Sequence, residues 1–231
     1  VAGSGKSLIL QKKAKILKDL DPDSRVLYLC YNKMLKDKIR QQMHGISCDV
    51  NNFHGLAQKL GIKIHDNGWK SSEQLGNELL DLAKSIEINQ KYDVILIDEM
   101  QDFHPLWLKA VVSLLKDPEN GDLIIAGDAN QGLYQTKGFR WSDLGIKAQG
   151  RTYYFRNNYR NTKEILKVAS LYSVYNESST DEDTIGVVPV NVDNSVRTGQ
   201  KPRVYRCKDR TSECNLASAL VKFILQPKEK S

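Results

Sequence analysis

A glycine-rich turn running into lysine and serine, VAGSGKS at residues 1–7, constrains this chain more than any other segment. It fits the phosphate-cradling pattern G-x-x-x-x-G-K-[ST], with the first glycine falling one position before Val1. Gly3 and Gly5 permit the dihedrals that turn successive N–H groups, including that of Ser4, toward phosphate oxygens. Lys6 would reach the β- and γ-phosphates and the Ser7 hydroxyl would ligate Mg²⁺. Leu8, Ile9, Ala14, Ile16, Leu17 and Leu20 follow at helical spacing, so the turn opens a helix whose N-terminus favours anions. This loop ordinarily follows a central strand paired on both sides. A sheet without that strand leaves open edges, so the natural polypeptide is expected to extend upstream of Val1.

The second informative segment is VILIDEMQD at residues 94–102, an apolar strand ending in adjacent carboxylates. Asp98 and Glu99 at a strand end suit a metal ion and an attacking water. With the loop upstream, the pair implies a nucleoside triphosphatase that uses Mg²⁺. The net charge of +6 and the pI near 9.0 are compatible with a polyanionic partner, and equally with a solvated basic surface. Four cysteines lack C-x-x-C spacing, which excludes a recognisable zinc ribbon or disulfide framework and suits thiols in a reducing cytoplasm. No apolar run reaches membrane-spanning length, so no membrane partner is expected.

Apolar runs at 26–30, 46–53, 94–97 and 123–127 read as buried strands, alternating with helical patterns at 32–43, 53–60, 71–85 and 106–115. The expected fold class is α/β: a parallel sheet with helices on both faces and a ligand site at the carboxyl ends of its strands. A second unit is expected from residue 151, with strands at 152–155 and 204–207, helices at 161–175 and 212–225, and a long polar loop at 177–202.

Several segments together resemble the UvrD/Rep-like superfamily 1 DNA helicases, ATP-driven motors on single-stranded DNA, over almost the whole chain. Residues 98–102 resemble that family's D-E-x-Q-D box, and GDANQGLY at 127–134 resembles its G-D-x-x-Q-x-[IL]-Y box. FRNNYRNT at 155–162 is similar to its N-Y-R-[ST] box, with Asn161 in place of the small hydroxyl residue. The resemblance implies a RecA-like P-loop NTPase lobe over residues 1–150 that lacks its first strand, and the start of a second RecA-like lobe over 151–231. It implies Asp98 on Mg²⁺, Glu99 as the base, Gln101 linking the nucleotide to the neighbouring lobe, Gln131 sensing the γ-phosphate, Tyr159 stacking on adenine and Arg160 touching the γ-phosphate.

The same resemblance points to nucleic-acid contacts at Asn32, Lys33, Phe53, His54, Tyr134 and Trp141, with Asn52 replacing the usual threonine ahead of Phe53. Phe53 and Trp141 stay open between base stacking and core packing. The expected partner is single-stranded DNA, with RNA open, and a nuclease or repair complex as a further partner. The expected function is an ATP-dependent DNA helicase or translocase on single-stranded DNA; the alternative is a nucleotide-gated ATPase subunit of a nuclease or DNA-repair complex that does not unwind. The family's later boxes are not recognisable before Ser231, so these residues alone are expected to hydrolyse ATP weakly.

Overall fold

A computed structural model describes residues 3–64, 70–128, 140–171 and 191–225 of the chain. These fall into two compact units, Val1–Gly199 and Gln200–Ser231. The larger unit opens with α1 (Lys6–Leu20), β1 (Val26–Cys30), α2 (Lys33–Gln42), β2 (Asp49–Asn52) and α3 (Phe53–Lys59). It continues through α4 (Ser72–Ser85), β3 (Val94–Ile97), α5 (Pro105–Val112) and β4 (Asp122–Ile125). The four strands form one parallel sheet in the order β2-β1-β3-β4, the architecture expected from the alternating pattern.

Side-chain alternation divides the core into two layers. Leu27, Leu29, Ile95 and Ile97 face a cluster with Phe53 and Leu56 of α3, Leu75 and Leu79 of α4, and Trp107, Leu108 and Val111 of α5. Val26, Tyr28, Cys30, Val94 and Leu96 face Leu10 and Ala14 of α1 and Ile39 of α2. β1 and β3 are buried on both faces, which is why their sequences, VLYLC and VILI, are continuous apolar runs rather than alternating ones. β4 pairs with β3 alone among the described residues, and its Leu123, Ile124 and Ile125 are half-buried.

Asparagine and serine caps set the helix starts. Asn32 Oδ1 accepts from the Leu35 N–H at 2.7 Å, and Asn52 Oδ1 accepts from the Gly55 N–H at 3.1 Å. Ser71 and Gln74 form a reciprocal capping box at the head of α4. β2 begins at Asp49 rather than at 46, because Asn52 turns the chain into α3 and Ile46 belongs to the turn after α2.

Further along, β5 (Asn158–Thr162), α6 (Lys163–Ser170) and β6 (Ser195–Arg197) are present, and β5 and β6 pair in parallel. The strand expected at 152–155 is absent; those residues carry no ladder, and the strand lies in the polar segment just beyond. The helix expected from 161 begins two residues later, where Thr162 Oγ1 accepts from the Ile165 N–H at 3.3 Å. In the smaller unit the stretch 204–207 is not a strand. Its helix α7 (Arg210–Leu225) starts where Asp209 Oδ1 accepts from the Ser212 N–H, and it leaves Val221, Phe223 and Ile224 exposed. Among the described residues no helix is long and apolar enough to cross a membrane.

Phe53 is fully buried and lies flat on Trp107, with centroids 4.0 Å apart and planes 5° from parallel. Phe53→Ala should therefore destabilise the larger unit by about 3–5 kcal/mol, read as a fall in the urea midpoint. A midpoint matching the parent would contradict its place in the core. Cys30 and Cys48 have thiols that burial, first of all, pushes up to about 12, whereas Cys214 is exposed. Native protein at neutral pH should label with a maleimide at Cys214 and leave Cys30 unmodified until denatured, as peptide mapping would show.

Candidate nucleotide site

The loop, the acidic strand end and the N-Y-R segment converge at the carboxyl ends of the sheet strands. Gly3 has φ +73° and Gly5, which precedes α1, has φ +89° and ψ 12°, left-handed values that glycine adopts without strain. The Ser4 side chain is buried, and among the described residues its Oγ makes no hydrogen bond. A buried hydroxyl left unmatched inside an amide-rich turn has the chemistry to donate to an anionic oxygen. Lys6 begins α1, and Ser7 follows it, with its carbonyl 3.5 Å from the Tyr28 hydroxyl that also reaches Asp98 Oδ2 at 2.9 Å.

Asp98 is fully buried at the end of β3, and its N–H donates to the Leu29 carbonyl at 2.8 Å. Oδ1 accepts from the Glu99 N–H at 3.0 Å and Oδ2 from the Tyr28 hydroxyl at 2.9 Å. Burial raises the Asp98 pKa, against the hydrogen bonds of Ser7 and Tyr28, and the neighbouring Glu99 charge raises it further. Burial, then the Asp98 charge and hydrogen bond, lifts the Tyr28 pKa well above its ordinary value, so the phenol stays a donor. The hard oxygens of Ser7 and Asp98 match Mg²⁺, which takes few protein ligands and fills its octahedron with water and phosphate. Ser7 and Asp98 are the residues that would hold it.

Glu99 sits in the left-handed region at φ 54° and ψ 47°, a conformation that costs a non-glycine residue roughly 1–3 kcal/mol. What holds it there is Gln101, whose Nε2 donates to Glu99 Oε2 at 2.7 Å. The other end of the same carboxamide, Oε1, accepts from the Asp128 N–H at 2.8 Å. The Met100 N–H donates to Ala126 O at 3.0 Å, so the turn after β3 is fastened to the end of β4. Gln101 thus joins the two strand ends within one sheet, where the resemblance implies a link to a neighbouring lobe; both ends of its amide are already engaged there. Burial and the Glu99 charge raise the Asp102 pKa.

The N-Y-R segment reaches the loop directly. The Tyr159 N–H donates to the Gly3 carbonyl at 2.9 Å. Asn158, buried, folds its Oδ1 back onto the N–H groups of Arg160 at 3.0 Å and Asn161 at 2.8 Å. A Cβ on Gly3 would come within 2.6 Å of the Arg160 Cβ, so this approach needs glycine. Tyr159 and Arg160 then line a cavity of about 1110 Å³ shared with Gly3, Ser4 and Gly5. Tyr153 and Tyr154 line the same cavity, a role their strand-like composition concealed.

The expected nucleic-acid residues fall into different environments. Asn32 and Lys33 are exposed at the start of α2, though Asn32 Oδ1 is engaged as the cap. His54 is half-buried, edge-on to Trp107 with centroids 5.3 Å apart. Phe53 is a core residue, so its ring is not presented to a base; the packing alternative is the one its burial matches. Trp141 is half-buried, packed against the core, and lines a cavity of about 450 Å³ beside β4. Gln131 and Tyr134 lie outside the described residues. Tyr28 is the site residue that sequence reasoning missed; its one signal was a hydroxyl inside an otherwise apolar strand.

The family model described as "AAA domain" matches residues 1–137. An ATP-dependent helicase/nuclease subunit of Clostridium acetobutylicum is 28% identical over 171 residues, covering 68% of this chain and 12% of that relative. A mitochondrial ATP-dependent DNA helicase of Saccharomyces cerevisiae is 27% identical over 139 residues, 55% of this chain and 19% of the relative. The corresponding helicase/nuclease subunit of Enterococcus faecalis is 25% identical over 139 residues, 53% of this chain and 10% of the relative. The aligned part of each relative is therefore a small fraction of its length.

The fastening between β3 and β4 depends on Gly127, where a Cβ would come within 2.4 Å of Met100 Cγ and 3.0 Å of Gln101 Oε1. Gly127→Ala should cost about 1–3 kcal/mol in a denaturant titration. Adding Met100→Ala should give a total loss smaller than the sum of the single losses. Strict additivity would contradict the close contact.

Proposed function

This chain belongs to the AAA-domain family, as a UvrD/Rep-like superfamily 1 helicase segment, and on that premise we propose that it is the nucleotide-binding core of an ATP-driven translocase on single-stranded DNA. The observation that carries this reading is the meeting of Ser7, at the head of α1, with Asp98, at the end of β3: the Tyr28 hydroxyl lies 2.9 Å from Asp98 Oδ2 and 3.5 Å from the Ser7 carbonyl. Two groups drawn from well-separated motifs thus meet at one phenol, beside a buried hydroxyl and left-handed glycines suited to phosphate.

The chemistry assigned to each residue is the one that the family resemblance implies, and where the residue is described its surroundings support it. Backbone N–H groups from Gly3 to Lys6 cradle the phosphates and the Lys6 ammonium neutralises their charge. Mg²⁺, when bound, draws charge from the phosphate oxygens. Glu99, its carboxylate fixed on one oxygen by Gln101, takes the proton of the attacking water. Arg160 enters the cavity from the N-Y-R segment and offers a planar set of donors to charge developing in the transition state. Tyr159, exposed at the cavity, is the proposed stacking face for the base. Gln131 is the proposed γ-phosphate sensor.

Strand contacts are proposed at the starts of α2 and α3, through Asn32, Lys33 and His54, with Tyr134 and Trp141 assigned beside the same path by the family resemblance alone. The two helices begin at the carboxyl ends of adjacent strands, β1 and β2, so both N-termini can face one backbone. The second-lobe assignment for residues 151–231, and weak turnover by these residues alone, belong to the same proposal. The names of the two bacterial relatives join helicase to nuclease, which supports a nuclease assembly as partner; the second reading is an ATPase component of such an assembly that hydrolyses without unwinding. Unwinding of a tailed duplex by the full-length protein separates the two.

Lys6→Ala should weaken nucleotide binding, measured as a rise in the Kd of a fluorescent ATP analogue. Glu99→Gln should bind ATP as the parent does yet lower DNA-stimulated turnover by about 10²–10⁴-fold, measured as phosphate release with single-stranded DNA and with RNA. Turnover by Glu99→Gln at the parent rate would overturn the assignment of the base.

A further inference from the structure

Tyr28 lies in the middle of β1, with its ring fully buried among Leu10, Ala14, Ile39 and Leu96. Phenylalanine would satisfy that environment. A hydroxyl there is tolerated only with a partner, because an unmatched buried hydroxyl costs more than the packing it brings. Its partner is Asp98 Oδ2 at 2.9 Å, and the phenolic oxygen also stands 3.5 Å from the Ser7 carbonyl, at the first turn of α1. The shorter approach takes the proton. With Glu99 N–H on Oδ1, both carboxylate oxygens are then tied, one to the turn that follows and one to the neighbouring strand.

We propose that Tyr28 is a positioning residue for the metal-holding pair, its hydroxyl fixing the rotation of the Asp98 carboxylate toward Ser7. This rests on the reading of Ser7 and Asp98 as the residues that hold Mg²⁺. Tyr28 acts through Asp98, as outer hydrogen bonds to metal-ligating carboxylates generally do.

The test is a Mg²⁺ titration, starting from excess chelator, of fluorescent ADP binding to the full-length protein. It compares the parent, Tyr28→Phe, Asp98→Asn and the double variant, with thermal melting recorded for each. Tyr28→Phe should keep the parent affinity in chelator and require about tenfold more Mg²⁺ for half-maximal enhancement. In the Asp98→Asn background, deleting the hydroxyl should change nothing further. A Tyr28→Phe titration coinciding with the parent overturns the proposal and leaves the nucleotide site intact. An equal loss of affinity with and without Mg²⁺, or additive effects in the double variant, also overturns it, by making Tyr28 a packing residue. If binding to the parent protein is indifferent to Mg²⁺, the reading of Ser7 and Asp98 fails and the proposal falls with it.

Discussion

The site depends on one buried carboxylate and the donors that compensate its burial. Asp98 is excluded from solvent at the end of β3, where an unpartnered charge would be strongly unfavourable. Its hydrogen bonds come from Tyr28 of β1 and from the N–H of Glu99 in the turn after β3, and Ser7 at the head of α1 also favours its charged form. Each donor draws its element toward the same point. The pKa is still raised, so these bonds do not fully offset the desolvation, and an additional positive group near Asp98 would be stabilising. Folding energetics and metal chemistry therefore make the same demand on this residue.

A second arrangement extends from that point toward β4. Glu99 occupies a backbone conformation that is unfavourable for a glutamate, and Gln101 holds its side chain while gripping the Asp128 amide. Gly127 leaves just enough room for Met100 and the Gln101 carboxamide. The proposed base and the head of the next box thus share one carboxamide. The turn after β3 and the end of β4 are thereby tied through a single side chain.

Much of this was legible in the sequence because it follows from local rules. VLYLC and VILI are apolar throughout since both faces of β1 and β3 are covered, and Asn32, Asn52 and Ser71 mark helix starts by capping them. The illegible parts depend on distant partners. Thr152, Tyr153, Tyr154 and Phe155 have strand-forming composition but no neighbouring strand among the described residues, and they line the cavity by the loop instead. Polar Asn158–Thr162 forms β5 because it pairs with Ser195–Arg197 and because Tyr159 donates to Gly3. The ring of Phe53 fits a base platform by composition, and only the position of Trp107 on α5 decides that it is core. Tyr28 was hidden for the same reason: its partner is supplied by another strand.

The most direct test of the central claim is a crystal structure of the full-length protein with Mg²⁺ and a non-hydrolysable ATP analogue. The account predicts triphosphate over the amides of Gly3 to Lys6, with the metal held between the Ser7 hydroxyl and the Asp98 carboxylate and Glu99 facing the γ-phosphate. A nucleotide bound elsewhere, or a metal remote from both Ser7 and Asp98, would contradict it.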